Sequence, residues 1–340
     1  MTYFVLGKEV EDFERRVARM LGVKYVVGVN SGTDALFLSM KALGIREREV
    51  ITPPNSYIAT TASICTAGNK PIFVDVDHDE NVNPSLIRRA ISQKTKAIVP
   101  VHLRGLPCKM DEIMEISAKY NLIVIEDCSQ AILARYNNKF VGTFGNVGCF
   151  SLNPTKILGA DGDAGMIITN DKETYHTVKL LRNHGLKNRD VSILCGYRSR
   201  IDTLQAAILN VKLKHILDWI EKRRKIAKIY LEKLNDLQIH LPFERTNEYH
   251  VYTTFTIQSK FRNELKNYLL KNGIETKIDY LIPIHLQPAT RHFGYQSGDF
   301  PMTEMQSKET LSLPIYPELD SENVECIINY TKKFLSAKIV

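Results

Sequence analysis

No CxxC pair occurs in the 340 residues, and the six cysteines (Cys65, Cys108, Cys128, Cys149, Cys195 and Cys326) stand far apart. That spacing suggests neither a zinc site nor a disulfide framework, so buried thiols and no bound metal are expected. No apolar run approaches the length of a membrane span. The opening stretch MTYFVLGKEVEDFERR turns acidic and amphipathic too soon for a secretory signal, so a cytoplasmic location with no membrane partner follows by default. Low-complexity blocks, disorder-like runs and internal repeats are missing as well. Acidic residues are slightly outnumbered, 38 against 45 basic ones, for a net charge of +7. Much of the excess sits in EKRRKIAKIY (221–230), where apolar residues fall at helical spacing. That pattern describes a solvated helix face rather than a nucleic-acid stripe.

What is present describes a folded chain throughout. Hydrophobic residues make up 44% and charged residues 24%, ordinary values for a globular protein. The length suits one large domain and a smaller one. Val10, Phe13, Val17 and Leu21 recur at helical spacing, with Gly22 as a stop. YVVGVN (25–30) reads as a short buried strand that SGT passes directly into a helix bearing Leu36, Met40 and Leu43, closed by Gly44. Apolar strands follow at EVITPP, PIFVDVD, AIVPVHL and LIVIEDC, separated by the helical stretches PSLIRRAIS and MDEIMEISAKY. Such alternation predicts an α/β fold with a mostly parallel sheet covered on both faces, and functional residues at the strands' carboxyl ends. A long helical region runs from Asp202 to about Asp236. Beyond it, VYTTFTIQ and ETKIDYLI read as strands, and RNELKNYLLKNG and NVECIINYTKKFL as helices. Residues 1–240 are therefore expected to form the large domain and residues 241–340 a smaller α+β domain.

One stretch asks for an explanation. FSLNPTKILGADGDAGMI (150–167) puts Lys156 between two short apolar runs, behind a serine and ahead of clustered glycines. A solvated loop lysine is the bland account, and only partners elsewhere can displace it. Three candidates exist. LIVIED ends at Asp127, and an acid at a buried strand end needs a cation or a cap. NSGTDAL sets Gly32 and Thr33 at a helix start, where free N–H groups and the helix dipole favour an anion such as phosphate. In PPNSYIATTASI, Tyr57 follows a turn and precedes a helix, so its ring could lie against a flat ligand. Salt bridge, plain capping and core packing are the ordinary readings of each alone. Together they match pyridoxal 5'-phosphate, which has an aldehyde to bond a lysine, a ring nitrogen to pair with a carboxylate, a flat ring and a phosphate.

The sequence resembles the DegT/DnrJ/EryC1/StrS family of nucleotide-sugar aminotransferases, which have the type I aspartate aminotransferase fold. The likeness covers FVLGKEVEDFE, NSGTDAL, FVDVD, PVHLRG, IEDCSQA, GCFSLNPTKILGADGDAG, LRNHG, GYRSRIDTLQAAIL and IHLQPA, nearly the whole chain. The resemblance implies that Lys156 forms the Schiff base and Asp127 holds the pyridinium proton. Gln130 would bond near the ring's 3-hydroxyl oxygen, and Tyr57 would stack on the ring. Gly32, Thr33, Asp34 and Ser151 would surround the phosphate. A homodimer with sites at its interface is implied too, in which GYRSR comes from the partner subunit. Some relatives carry histidine at the lysine position and dehydrate; Lys156 selects transamination.

This chain departs from the family pattern at several points. Arg198 replaces the asparagine of GYNSR, and could serve the phosphate or face substrate or solvent. Arg104 stands in HLRG where HLYG is usual, and SQAILA where AQAHGA is usual. Those changes would admit an extra acidic group on the substrate or are surface drift. Only MTY stands before FVLG, so the leader that many relatives have there is expected to be missing. The implied reaction moves an amino group from L-glutamate to a keto sugar on a nucleotide diphosphate. GYRSRIDTLQAAIL, PIHLQPATRHFGY and LSLPIYP look more like members acting on 3-keto sugars, with 4-keto sugars or an aminocyclitol precursor as alternatives. His285 in IHLQPA is a candidate sugar contact, against a histidine held in the core. A nicotinamide dehydrogenase is disfavoured because the first turn, VNSGTDAL, lacks its glycine fingerprint. A non-catalytic sensor that binds the cofactor on the same fold stays open.

Overall fold

The computed structural model describes residues 4–338. Residues 1–3, part of the opening stretch weighed above as a signal, lie outside the described residues. Helix α1 (Lys8–Leu21) buries the expected Val10, Phe13, Val17 and Leu21. Gly22 ends it at φ 67°, a left-handed conformation that only glycine adopts without strain. Strand β1 (Tyr25–Val29) then delivers the chain to α2 (Gly32–Ala42). The alternation continues through β2 (Glu49–Thr52), α3 (Ile58–Thr66), β3 (Lys70–Phe73), α4 (Pro84–Ala90), β4 (Thr95–Ile98), α5 (Met110–Tyr120) and β5 (Ile123–Asp127). The short strands β6 (Arg135–Tyr136) and β7 (Lys139–Phe140) precede β8 (Val147–Ser151), β9 (Gly165–Thr169) and α6 (Lys172–Leu181).

The central sheet has the order β1-β9-β8-β5-β4-β2-β3. Strands β3, β2, β4, β5 and β8 run parallel, and β9 is antiparallel to both its neighbours, β1 and β8. This is the mostly parallel sheet read from the alternation. Apolar layers cover it on both faces, as parallel strands require: Phe13, Phe150 and Met166 belong to one cluster, and Leu36, Met40 and Ile167 to another. Alternation along β9 sends Met166 and Ile167 to opposite faces.

The expected long helical region is two helices, α7 (Thr203–Lys212) and α8 (Ile216–Leu234), with a break between them. Helix α8 serves two cores: Ile216 and Ile220 pack on the sheet's cluster, while Ile226, Tyr230 and Leu234 join a separate one. That second core is built on β11 (Phe255–Gln258), α9 (Arg262–Lys271), β12 (Thr310–Leu313) and α11 (Ser321–Ser336), preceded by the short β10 (Glu248–Tyr249) and with α10 (Pro301–Glu309) leading into β12. Strands β11 and β12 pair antiparallel, giving the smaller α+β unit.

The tail holds the corrections to the sequence reading. VYTTFTIQ is a strand only from Phe255, because Val251 and Thr253 donate their N–H groups to the carbonyls of Gly105 and Arg104 instead of a sheet neighbour. ETKIDYLI forms no strand; Lys277 alone bridges to Ser312. No helix among the described residues is long and apolar enough to cross a membrane.

Candidate active site

The carboxyl ends of β5 and β8 and the N-terminus of α2 converge on one cleft of about 560 Å³. Strand β5 carries Asp127 into it as its last residue. The side chain is buried but not bare: Oδ2 accepts from the Thr60 hydroxyl at 2.8 Å and Oδ1 from the Ser129 N–H at 3.0 Å. Its neighbour Glu126 points the other way, as strand alternation requires, and is consumed by the fold. It accepts the N–H groups of Gly142, Phe144 and Gly145 and contacts His102 Nε2 at 3.1 Å. Glu126 thus anchors the strand end, while Asp127 faces the cleft.

His102, Glu126 and Cys128 are the one trio among the described residues close enough to suggest a metal. Their donors are already spent. His102 Nδ1 accepts the Cys108 N–H, which leaves the ring proton on Nε2 toward Glu126. Burial, reinforced by the negative charge of Glu126 and Asp127, holds the Cys128 thiol well above its ordinary pKa.

Lys156 arrives on the loop after β8. That loop is pinned at its base, where Leu152 N–H meets the Ala164 carbonyl at 2.9 Å and Ala160 N–H the Leu152 carbonyl at 2.8 Å. The ammonium makes no side-chain hydrogen bond or ion pair among the described residues. Its pKa is lowered. Burial is the largest cause, the cation of Lys277 adds to it, and the carboxylates of Asp127 and Asp279 offset part of the shift. A lysine in such surroundings has an accessible neutral amine, the form that attacks carbonyl carbon.

At the third wall, Ser31 caps α2 by accepting the Asp34 N–H at 3.1 Å. A Cβ at position 32 would lie 2.7 Å from the Ser151 Cβ, so only glycine lets the helix start press against the end of β8. The result is a concave seat of helix N–H groups beside Ser151, suited to an anion.

Of the residues singled out by sequence, Gly32, Thr33, Tyr57, Asp127, Gln130, Ser151 and Lys156 line the cleft together. Tyr57 is 64% exposed, an unusually open position for an aromatic ring and one that leaves its face available. Gln130 donates from Nε2 to the Tyr280 hydroxyl at 2.8 Å and accepts the Arg104 N–H on Oε1 at 3.0 Å. Asp34 does not line the cleft, its carboxylate being taken by the Ser199 hydroxyl at 2.6 Å. Arg198 is exposed and outside the cleft within this chain. His285 is buried, with Nε2 3.1 Å from Glu304 Oε1 and its ring against Phe300. Arg104 is also buried, its guanidinium held by Glu80 and Asp279 behind the cleft wall. Neither lines the cleft: the Arg104 guanidinium is taken by two carboxylates, and His285 gives Nε2 to Glu304 while its buried Nδ1 has no partner among the described residues.

Sequence reasoning missed Thr60, Ser129, Lys277, Asp279 and Tyr280, which line the cleft too. Thr60 was recoverable in principle, since it lies one helical turn beyond Tyr57 and so shares its face. The other end of the wall, residues 277–280, comes from the segment taken for a strand, and nothing local marks it.

The residues fit pyridoxal 5'-phosphate: an amine without a side-chain partner among the described residues, a carboxylate at the end of β5 and a glycine-built anion seat open into the same space. The family profile of the DegT/DnrJ/EryC1/StrS aminotransferases matches residues 2–332. The chain is 42% identical to the "pleiotropic regulatory protein" of Geobacillus stearothermophilus, over 97% of this chain and 90% of that one. It is also 42% identical to the dTDP-3-amino-3,6-dideoxy-alpha-D-galactopyranose transaminase of Aneurinibacillus thermoaerophilus, over 98% and 92%. The crystal structure of S. venezuelae DesV in complex with a ketimine intermediate superposes with a TM-score of 0.95 at 36% identity, covering 97% of this chain and 90% of that one. With a match spanning almost its whole length, the chain belongs to the DegT/DnrJ/EryC1/StrS aminotransferase family, which depends on pyridoxal phosphate.

Proposed function

We propose that the protein transfers an amino group from L-glutamate to a 3-keto sugar carried on a nucleotide diphosphate. The observation that carries this is the meeting of the Lys156 amine, the Asp127 carboxylate and the α2 anion seat in one cleft. When bound, pyridoxal phosphate supplies an electron sink that makes the α-hydrogen of an amine acidic. Lys156 would anchor the cofactor and serve as the acid/base that moves the donor's α-proton. Asp127, fixed by Thr60 and Ser129, would hold a proton on the ring nitrogen. Thr33, Ser151 and the N–H groups at the start of α2 would receive the phosphate, and Tyr57 and Gln130 would hold the ring. The 3-keto assignment draws support from the 3-amino sugar named for the Aneurinibacillus relative.

A homodimer belongs to the same reading. Leu204, Val211 and Leu217 are each more than half exposed, and so is Ile193 near the exposed Arg198, a set of apolar side chains that a second copy would cover while bringing Arg198 to the neighbouring site. The Geobacillus relative's name favours a second reading, a regulator that binds the cofactor without turnover. The deciding experiment records the absorption of purified protein with pyridoxal phosphate before and after L-glutamate, then supplies 3-keto and 4-keto nucleotide sugars. A visible band that bleaches with glutamate and returns with a 3-keto sugar supports the proposal. Bleaching without any sugar turnover favours the regulator.

The lowered Lys156 pKa makes a signed prediction about cofactor uptake. The neutral amine is required, so the uptake rate of cofactor-free protein rises with pH and levels off below the ordinary lysine value of about 10.4. Lys277 contributes to the lowering, so Lys277→Met is expected to move the midpoint upward. Stopped-flow absorption across pH measures both; a midpoint unmoved by the substitution refutes the coupling.

A further inference from the structure

Arg104 is the least expected charge near the cleft. It is 6% exposed, sits at φ 59°, a left-handed conformation that a bulky residue rarely adopts, and lies just behind the wall that faces the cofactor's proposed position. Burial opposes its charge, yet Glu80 and Asp279 outweigh that and hold its pKa above the ordinary arginine value. Nε and Nη2 reach Glu80 Oε2 at 3.3 and 3.1 Å, Nη1 bonds Asp279, and the guanidinium lies 5.2 Å from the centre of the Tyr280 ring. Its backbone N–H fixes Gln130 Oε1, which turns the Gln130 amide nitrogen to the Tyr280 hydroxyl. The Arg104 carbonyl takes the Thr253 N–H, and the Thr253 hydroxyl bonds the Gln130 carbonyl. Gln130, Thr253, Asp279 and Tyr280 all line the cleft.

We propose that Arg104 is a positioning residue: clamped between Glu80 and Asp279, it sets residues 277–280 against Gln130 and so fixes the cleft wall beside the cofactor ring. The role rests on the function proposed above. No strand holds this segment. Lys277 bridges to Ser312, Ser312 Oγ and the Lys277 ammonium bond Asp279 at 3.0 and 2.9 Å, and the side-chain partners that tie residues 279 and 280 to the neighbouring wall are Arg104 and the Gln130 it orients. A guanidinium suits the task because it meets two carboxylates in different directions while lying over an aromatic ring, which an ammonium cannot do. Asp279 in turn faces Lys277 at 2.9 Å, so the clamp also places a cation at the cleft's mouth. This accounts for an arginine in HLRG without assigning it a contact to the sugar.

The test compares Arg104→Met, Arg104→Lys and Tyr280→Phe with Arg224→Met, which removes a comparable two-pronged pair, to Glu244, outside the cleft lining. Hydrogen exchange is measured on cofactor-free full-length chain, and pyridoxal phosphate affinity, kcat and KM on the loaded protein. Arg104→Met is expected to speed exchange in residues 277–282 at least about 10-fold, weaken cofactor binding and lower kcat/KM about 100-fold, the range for breaking a buried charge pair. Arg104→Lys falls between, and tests the role if the methionine variant does not fold. Tyr280→Phe is expected to cost less when added to Arg104→Met than alone, because both act through one network. Arg224→Met loses thermal stability with cofactor affinity and kcat/KM intact. The proposal is overturned if the Arg104 variants behave like Arg224→Met, with exchange in residues 277–282 and all cofactor parameters unchanged. If wild-type protein takes up no pyridoxal phosphate, the proposed function fails and this role with it, a result no variant-specific defect can imitate.

Discussion

Lys156→Ala is expected to lose the visible absorption band that the wild type takes on with pyridoxal phosphate, and to lower turnover by about 10⁴-fold or more, the upper end of what one positioned acid/base supplies. Among the described residues the other amine lining the cleft is Lys277, whose side chain is 74% exposed and paired with Asp279 at 2.9 Å. An amine held by that carboxylate at the exposed end of the cleft is not placed to take over from Lys156. Lys156→Arg is expected to fail equally, since it restores charge and length but not a group that can shed its proton. Cofactor should still bind to both variants through the anion seat at Gly32 and Ser151 and the carboxylate of Asp127, with a different spectrum. A small amine such as methylamine, added to Lys156→Ala, should recover part of the proton transfer. Turnover above about one per cent of wild type without such an amine would move the chemistry off Lys156.

The legible half of this site is the half built on regular elements. Asp127 and Gly32 could be placed because buried runs such as LIVIED and YVVGV announce strands, and a parallel sheet puts its chemistry at their carboxyl ends. Helix α1 was readable to its last turn, because four apolar residues keep one period and Gly22 closes it. The strands β8 and β9, which flank the lysine loop, were hidden by their glycines and by the short apolar runs around Lys156. The opposite wall was illegible for another reason. Residues 277–280 look like a strand by alternation, yet Asp279 answers to Arg104 and Tyr280 to Gln130, partners far away in the chain. The same cause keeps Asp34, His285 and Arg104 out of the cleft lining. Each has the right chemistry to meet a ligand, and each is engaged by a side chain from another segment: Ser199, Glu304 (at Nε2 of His285), and the pair Glu80 and Asp279. Local pattern fixes where a polar group sits along an element; whether it is still free is decided by tertiary contacts.

Asp127→Asn is expected to separate the carboxylate's charge from its place in the structure. Asparagine has nearly the same shape, and its amide can still accept the Ser129 N–H and bond the Thr60 hydroxyl, so the fold and the cleft should survive. Alanine would be a poorer test, because it strands two buried donors at a cost of about 1–3 kcal/mol each. With the charge gone, nothing at that wall holds a proton on the ring nitrogen. Losing one partner of a buried ion pair costs about 3–5 kcal/mol, roughly a 10²- to 10⁴-fold fall in kcat/KM. Thr60→Val keeps the charge and removes one donor, so it should cost only about 10-fold. The sign of a second effect distinguishes this account from simple damage. Asp127 raises the Lys156 pKa against the lowering by burial. Removing its charge should therefore move the pH midpoint of cofactor uptake downward, opposite to the shift expected from Lys277→Met. A midpoint that stays put or rises in Asp127→Asn would mean that Asp127 and Lys156 do not share a field, and the site as described would be wrong.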